Sequence, residues 1–298
     1  MSAEFSLKAG GYEAVVTERA AALRVLRCDG RDLVVPFPEG GPIPDYRGII
    51  AAPWPNRIAD GRYTFDGITH QLPLNEPERG TALHGLAFPL DWSMKEHDAG
   101  SVTLTCTVGP TAGYPFVVEL EAQYALDNSG LHTSVTAVNA ADVAAPYGVC
   151  PHPYLVAGSS PLDEWILEAP VGAFLEVTPD RLLPVSLSSM DGHEFDFRSA
   201  RAIGTTEIDH AFTDVTFDAG LARLSLRDPA GTGVGMSWDE SCPWLQVHTA
   251  DKPAPLPNRL GLAVEPMTCP PDAFNSGTDL VRLEPGATHT ASWSIYAL

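Results

Sequence analysis

Positive charge is what this sequence lacks most: 18 Lys and Arg stand against 38 Asp and Glu in 298 residues, a formal charge of −20. Binding a nucleic acid requires clustered cations that displace the counterions of a polyanion. No such cluster occurs, so the expected partners include no nucleic acid and, for the same reason, no anionic membrane surface. Long apolar runs are missing too. None approaches the ~20 residues that span a bilayer, and the segment Met1–Lys8 has neither the basic nor the apolar region of a secretion signal. A cytoplasmic location is the expectation. The five cysteines, Cys28, Cys106, Cys150, Cys242 and Cys269, are scattered and form no C-x-x-C pair, which excludes a disulfide framework. Helical periodicity is also absent, because every apolar stripe of i, i+3, i+4, i+7 spacing is broken by Gly or Pro within a window of about 11 residues.

What is present is alternation. Ser101–Val108, Phe116–Leu126, Leu131–Val138, Ala222–Arg227, Trp244–Thr249 and His289–Tyr296 each carry period-2 patterning between turn residues. Asp127-Asn-Ser-Gly130 and Asp66-Gly67 read as hairpin connections. The 26 Gly and 27 Pro are spread along the whole chain, as expected of many short elements joined by turns. Strands without alternating helices predict antiparallel sheets packed face to face. The expected fold is all-β, a large antiparallel β-sandwich forming a single domain over residues 1–298. Two Pro-rich stretches, Pro36–Pro44 and Lys252–Pro257, are short enough to be ordered loops, of the kind that border binding clefts.

Candidate chemistry is dispersed. His84, in Leu83-His-Gly85, and His152, between Pro151 and Pro153, stand in turn-like settings, where each is either a positioned functional imidazole or an ordinary turn residue. Glu265 ends an apolar strand, Leu260-Gly-Leu-Ala-Val-Glu265, so that desolvation would raise its pKa into the range of a general base; a buried salt bridge explains the placement equally well. Arg57 offers five planar donors for hydroxyls or a carboxylate, or pairs with one of the many acids. Asp209 is an acceptor for hydroxyls or a turn residue. Trp244, Gln246 and His248 alternate and would share one strand face, a combination of aromatic plane and amide that suits a sugar. Cys150 and Cys269 lack any nucleophile motif and read as inert buried thiols. H-E-x-x-H, H-x-H, G-x-S-x-G, the P-loop and the dinucleotide fingerprint are all absent, so neither a cofactor nor a metal is expected.

Taken in order, the motifs resemble the aldose 1-epimerase (galactose mutarotase) family. Asn56-Arg-Ile58, Leu72-Pro-Leu-Asn75 and Leu83-His-Gly85 are similar to its N-R-I, L-x-x-N and L-H-G succession. Glu265, Pro271-Asp-Ala-Phe-Asn275 and Leu283-Glu-Pro-Gly286 are similar to its terminal pattern. The resemblance runs from about Asn56 to the C-terminus. It implies a large antiparallel β-sandwich that interconverts the anomers of free aldoses without a cofactor, with Glu265 as general base and His152 as general acid. It further implies that Arg57, His84 and Asp209 hold sugar hydroxyls, beside Gln246 from the alternating strand. An ionised Glu265 and a protonated His152 are the expected working states. Cys150-Pro-His-Pro-Tyr154 departs from the N-H-S-Y form of galactose-specific members and looks more like a bacterial branch. Two other readings compete: a carbohydrate-binding sandwich without turnover, and a metal-dependent isomerase.

Overall fold

The computed structural model describes residues 2–298. Its backbone is a nine-stranded antiparallel sheet whose order is Ser93–His97, Ser101–Val108, Val118–Asp127, Gly130–Asn139, Thr288–Ala297, Gly233–Asp239, Leu221–Arg227, Ile166–Glu168 and Arg201–Ala202. Alternation creates its inner face. Along Val118–Asp127, Val118, Leu120, Ala122, Tyr124 and Leu126 are buried, while Glu119, Gln123 and Asp127 are exposed. Each expected strand is present within two residues of its predicted ends, and both hairpins form where turn chemistry places them: Asn128-Ser129 joins the third and fourth strands, and Asp66-Gly67 joins Arg62–Phe65 to Ile68–Gln71.

Opposite lies a six-stranded sheet in the order Tyr154–Leu155, Leu262–Met267, Trp244–His248, Asp209–Thr213, Ala173–Val177 and Pro184–Ser189. A four-stranded N-terminal sheet covers residues Glu4 to Asp32. One apolar cluster runs from Phe5 to Ile295, with Trp92, Trp238, Tyr63 and Tyr124 among its largest buried side chains. The architecture is the expected all-β sandwich. The α-helix assigned among the described residues is a single turn, Ala273–Ser276, and no helix is long and apolar enough to cross a membrane.

Candidate active site

The site begins with register. Gln246 lies opposite Glu265, and His248 opposite Asp209. Because side chains two apart share a strand face, Asp209, Gln246, His248 and Glu265 project together from three adjacent strands of the six-stranded sheet. Asp209 accepts a hydrogen bond from Gln246 Nε2 at 2.7 Å, and His248 Nδ1 lies 3.9 Å from it.

Three further pieces of chain face this patch. Arg57 starts the strand Arg57–Ala59, which pairs with Thr81–Leu83, and His84 follows directly. The His84 amide donates to the Asn56 carbonyl at 2.9 Å while both residues hold left-handed backbones, φ 58° and 53°. Gly85 permits this turn. A Cβ there would lie 2.1 Å from the Ala52 carbonyl oxygen, which accepts the amides of Leu86 and Ala87. His152 is fixed by its neighbours: Cys150 pairs with Ala51, the His152 amide donates to Ile49, and its carbonyl accepts from Gly48 at 2.7 Å. The flanking prolines restrict φ on both sides.

These elements enclose a polar cavity of about 200 Å³ to which all six sequence-predicted residues contribute: Arg57, His84, His152, Asp209, Gln246 and Glu265. Five are nearly inaccessible, with exposures of 8% for Arg57, 5% for each histidine and 2% for Gln246 and Glu265, whereas Asp209 is half-buried. His152 Nε2 lies 3.3 Å from Glu265 Oε1. The other carboxylate oxygen of Glu265 accepts from the Cys150 thiol at 3.7 Å. Arg57 grips Glu76 with two donors, Nε at 2.8 Å and Nη2 at 3.0 Å, and its Nη2 is 3.9 Å from Asp209. The alternative roles considered for Arg57 therefore coincide: it is paired with an acid and it faces the cavity. Glu76 was not singled out from sequence, because nothing in its spacing reveals which of the acids answers Arg57.

Electrostatics bears on the acid–base pair. Burial pushes Glu265 well above the ordinary carboxylate range, reinforced by the charge of Asp209, and pushes His152 down to about 3, with His248 acting in the same direction. Burial thus works against both charged forms that the sequence reading names as working states, the ionised glutamate and the protonated histidine. His84 is likewise held neutral by burial and by the nearby His152, Arg57 and His248.

One difference from expectation concerns the aromatic plane. Trp244 shares the strand face as predicted but does not line the cavity; it is buried to one side, donating from Nε1 to Asp279 at 2.8 Å. The aromatic rings at the cavity are Tyr46 and Tyr154. Tyr154 stacks on His152 with ring centroids 5.4 Å apart, and Tyr46 lies 4.9 Å from His84.

Three buried polar atoms here have no protein partner: His84 Nδ1, His152 Nδ1 and Gln246 Oε1. The donor atoms of His84, His152 and Glu265 also lie within 4.8 Å of one another, close enough to hold an ion.

Comparison with known proteins decides the family. The aldose 1-epimerase family model matches residues 4–296. The chain belongs to the aldose 1-epimerase family. The match includes the N-terminal sheet, beyond the reach of the motifs starting at Asn56. Among curated relatives, the Escherichia coli K12 protein YihR, described as uncharacterized, is 38% identical over 294 residues, covering 98% of this chain and 92% of that protein. Rat galactose mutarotase is 28% identical over 166 residues, covering 53% of this chain and 47% of that one. Solved epimerase folds superpose along the full length. A GalM/aldose epimerase homologue from C. elegans gives a TM-score of 0.87 at 20% identity, covering 100% and 99% of the two chains. The galactose 1-epimerase of Lactobacillus acidophilus gives 0.84 at 19%, covering 100% and 94%.

Proposed function

We propose that this member of the family is an aldose 1-epimerase that interconverts the α and β anomers of a free aldose by proton transfer, using no cofactor. The observation that carries the reading is the Glu265–His152 pair, 3.3 Å apart at the floor of a small polar cavity. A carbohydrate-binding site without turnover has no need of two adjacent proton carriers buried away from water.

Ring opening removes a proton from the anomeric hydroxyl and adds one to the ring oxygen; rotation about C1–C2 and reclosure reverse both transfers at the opposite face. The pair holds one proton for this exchange. Moving it from Glu265 to His152 leaves the pair's net charge unchanged and yields the carboxylate base and imidazolium acid that opening uses. Arg57, His84, Asp209 and Gln246 hold the ring by its hydroxyls, and the unpartnered atoms of His84 and Gln246 supply hydrogen-bonding capacity that no protein group uses. We place the protein in the cytoplasm, with a sugar as its small-molecule partner.

The test is anomer exchange, followed by polarimetry or NMR on a panel of freshly dissolved aldoses. Acceleration of at least one, lost in Glu265→Gln, is the expected result. Sugar binding without acceleration of any aldose would leave a binding module in place of an enzyme.

A further inference from the structure

The two Pro-rich stretches meet at the cavity. Asp45 directly follows Pro36–Pro44, Lys252 opens the segment Lys252–Pro257, and Lys252 Nζ forms an ion pair with an Asp45 carboxylate oxygen. Arg47 Nη2 holds the other oxygen at 3.1 Å, and its guanidinium lies over the Tyr154 ring, 5.6 Å from the centroid. Both Asp45 and Lys252 line the cavity.

Besides this pair, the first loop is tied to the N-terminal sheet through its Phe37 carbonyl, which accepts from Arg24 Nη1 at 3.2 Å. The second closes on itself, through the Lys252 amide to Asn258 Oδ1 at 2.7 Å and the Leu256 amide to Pro253 at 3.1 Å. Pro253–Asn258 are exposed throughout. In the first, the Gly41 amide returns to Pro38 and the Arg47 amide to Pro44. Tyr46 sits between the loops and the catalytic floor. Its ring centroid is 4.9 Å from His84, 6.3 Å from His152 and 5.3 Å from Phe88. Asp45 and Tyr46 both adopt left-handed backbones, φ 51° and 57°, a conformation that non-glycine residues hold only when their surroundings enforce it. On the outer side of this segment is a second hollow of about 480 Å³, lined in part by Pro42, Ile43, Phe88 and Pro89. The segment thus has the sugar cavity on one side and open space on the other.

We propose that Tyr46 is a further sugar-contacting residue, laid against the ring, and that the Asp45–Lys252 ion pair holds it there by fastening one loop to the other. This rests on the reading of the cavity as an aldose site. The chemistry suits the ligand: a pyranose presents axial C–H groups on one face, and a flat aromatic side chain covers them while the polar floor takes the hydroxyls. A half-exposed ion pair is weakened by salt. A neutral aldose has no charge of its own to be screened, so a salt-dependent KM reports on the protein's own pairs.

Steady-state anomer exchange with a neutral aldose tests this. Tyr46→Ala should raise KM about three- to tenfold, and Tyr46→Phe should restore most of the loss. Raising ionic strength from ~0.05 to ~0.5 M should raise the wild-type KM. Asp45→Asn and Lys252→Met should start from a higher KM and lose that salt response, and the double charge exchange Asp45→Lys with Lys252→Asp should recover part of it. Wild-type KM in Tyr46→Ala, or an undiminished salt response in both single-charge variants, overturns the proposal while leaving the epimerase reading intact. If the wild-type protein binds aldoses by calorimetry but does not exchange them, the epimerase reading fails, and the same comparisons are made on Kd.

Discussion

At the residue scale, the chemistry depends on two groups whose charged forms burial disfavours. Removing either should reduce kcat by on the order of 10²–10⁴, with Glu265→Gln leaving sugar affinity largely unchanged because amide and protonated carboxyl are nearly isosteric. The pH profile follows from the directions of shift. His152, pushed down to about 3, accepts a second proton only in acid, and Glu265, pushed up by burial, gives up the last one only when pH rises well beyond the ordinary carboxylate range. The singly protonated pair therefore lies between those two titrations, and kcat/KM should show a plateau between an acidic and an alkaline limb that belong to the pair. His152→Asn should remove the acidic limb and Glu265→Gln the alkaline one; an alkaline limb persisting unchanged in Glu265→Gln would assign it to another group. The same burial has a stability consequence. Burial holds the folded-state pKa of Glu265 above its unfolded value, so its contribution to stability is lost as pH rises through the unfolded value toward the folded one. At neutral pH Glu265→Gln removes that penalty, and Tm measured by calorimetry should rise by on the order of 2–4 °C. An unchanged or lower Tm would mean that the carboxyl is better satisfied than its two contacts suggest.

At the element scale, the strands were legible and so were the two Pro-rich loops that border the cavity, but not the contacts by which those loops finish the site. Period-2 alternation marks a half-buried strand whatever its partner, which is why Ser101–Val108 matches from end to end. Pairing is a different matter. Nothing in the spacing of Gln246 and Glu265 says that they lie opposite one another, and only the register brings Asp209 beside both. Glu265, His152 and Arg57 were found through an ordered set of motifs, whereas Tyr46 and Lys252 sit in loops without any motif and gain meaning only from what they touch. Trp244 shows the converse error: sharing a face with Gln246 does not put a side chain in the same cavity when the strand runs past its edge. The turn at His84 is the most demanding local element. Gly85→Ala should force its Cβ against the Ala52 carbonyl and displace the acceptor of Leu86 and Ala87, destabilising the fold by about 2 kcal/mol or more and reducing activity beyond that by tilting His84. Denaturant unfolding and kinetics on the same preparation check this, and a variant of wild-type stability and kinetics would show that the turn relaxes freely.

At the scale of the whole molecule, the cavity's geometry and the proposed chemistry point differently on metal. His84, His152 and Glu265 are near enough to bind an ion, yet the proposed proton transfers require none. Exchange activity should survive exhaustive treatment with EDTA and need no nucleotide; loss on chelation, restored by one particular ion, would replace the acid–base reading with a metal-assisted one.

Chain connectivity sets the remaining expectation. The C-terminal strand Thr288–Ala297 is the central member of the nine-stranded sheet, between Gly130–Asn139 and Gly233–Asp239, and the Ala297 amide donates to the Tyr12 hydroxyl at 3.0 Å. Tyr124, from the same sheet, donates to the Ala21 carbonyl of the N-terminal segment at 2.6 Å. Early, middle and late parts of the sequence thus share one apolar cluster, to which the last strand contributes Ala291, Trp293 and Ile295. We propose a single folding unit over the chain, which should unfold in one transition that coincides by tryptophan fluorescence and by far-ultraviolet circular dichroism. Removal of residues from Thr288 onward should abolish folding altogether, because it opens the middle of the sheet and leaves two interior strand edges unpaired. Two separated transitions, or a folded product after that truncation, would divide the molecule into independent parts and place the cavity on whichever part retained Glu265 and His152 together.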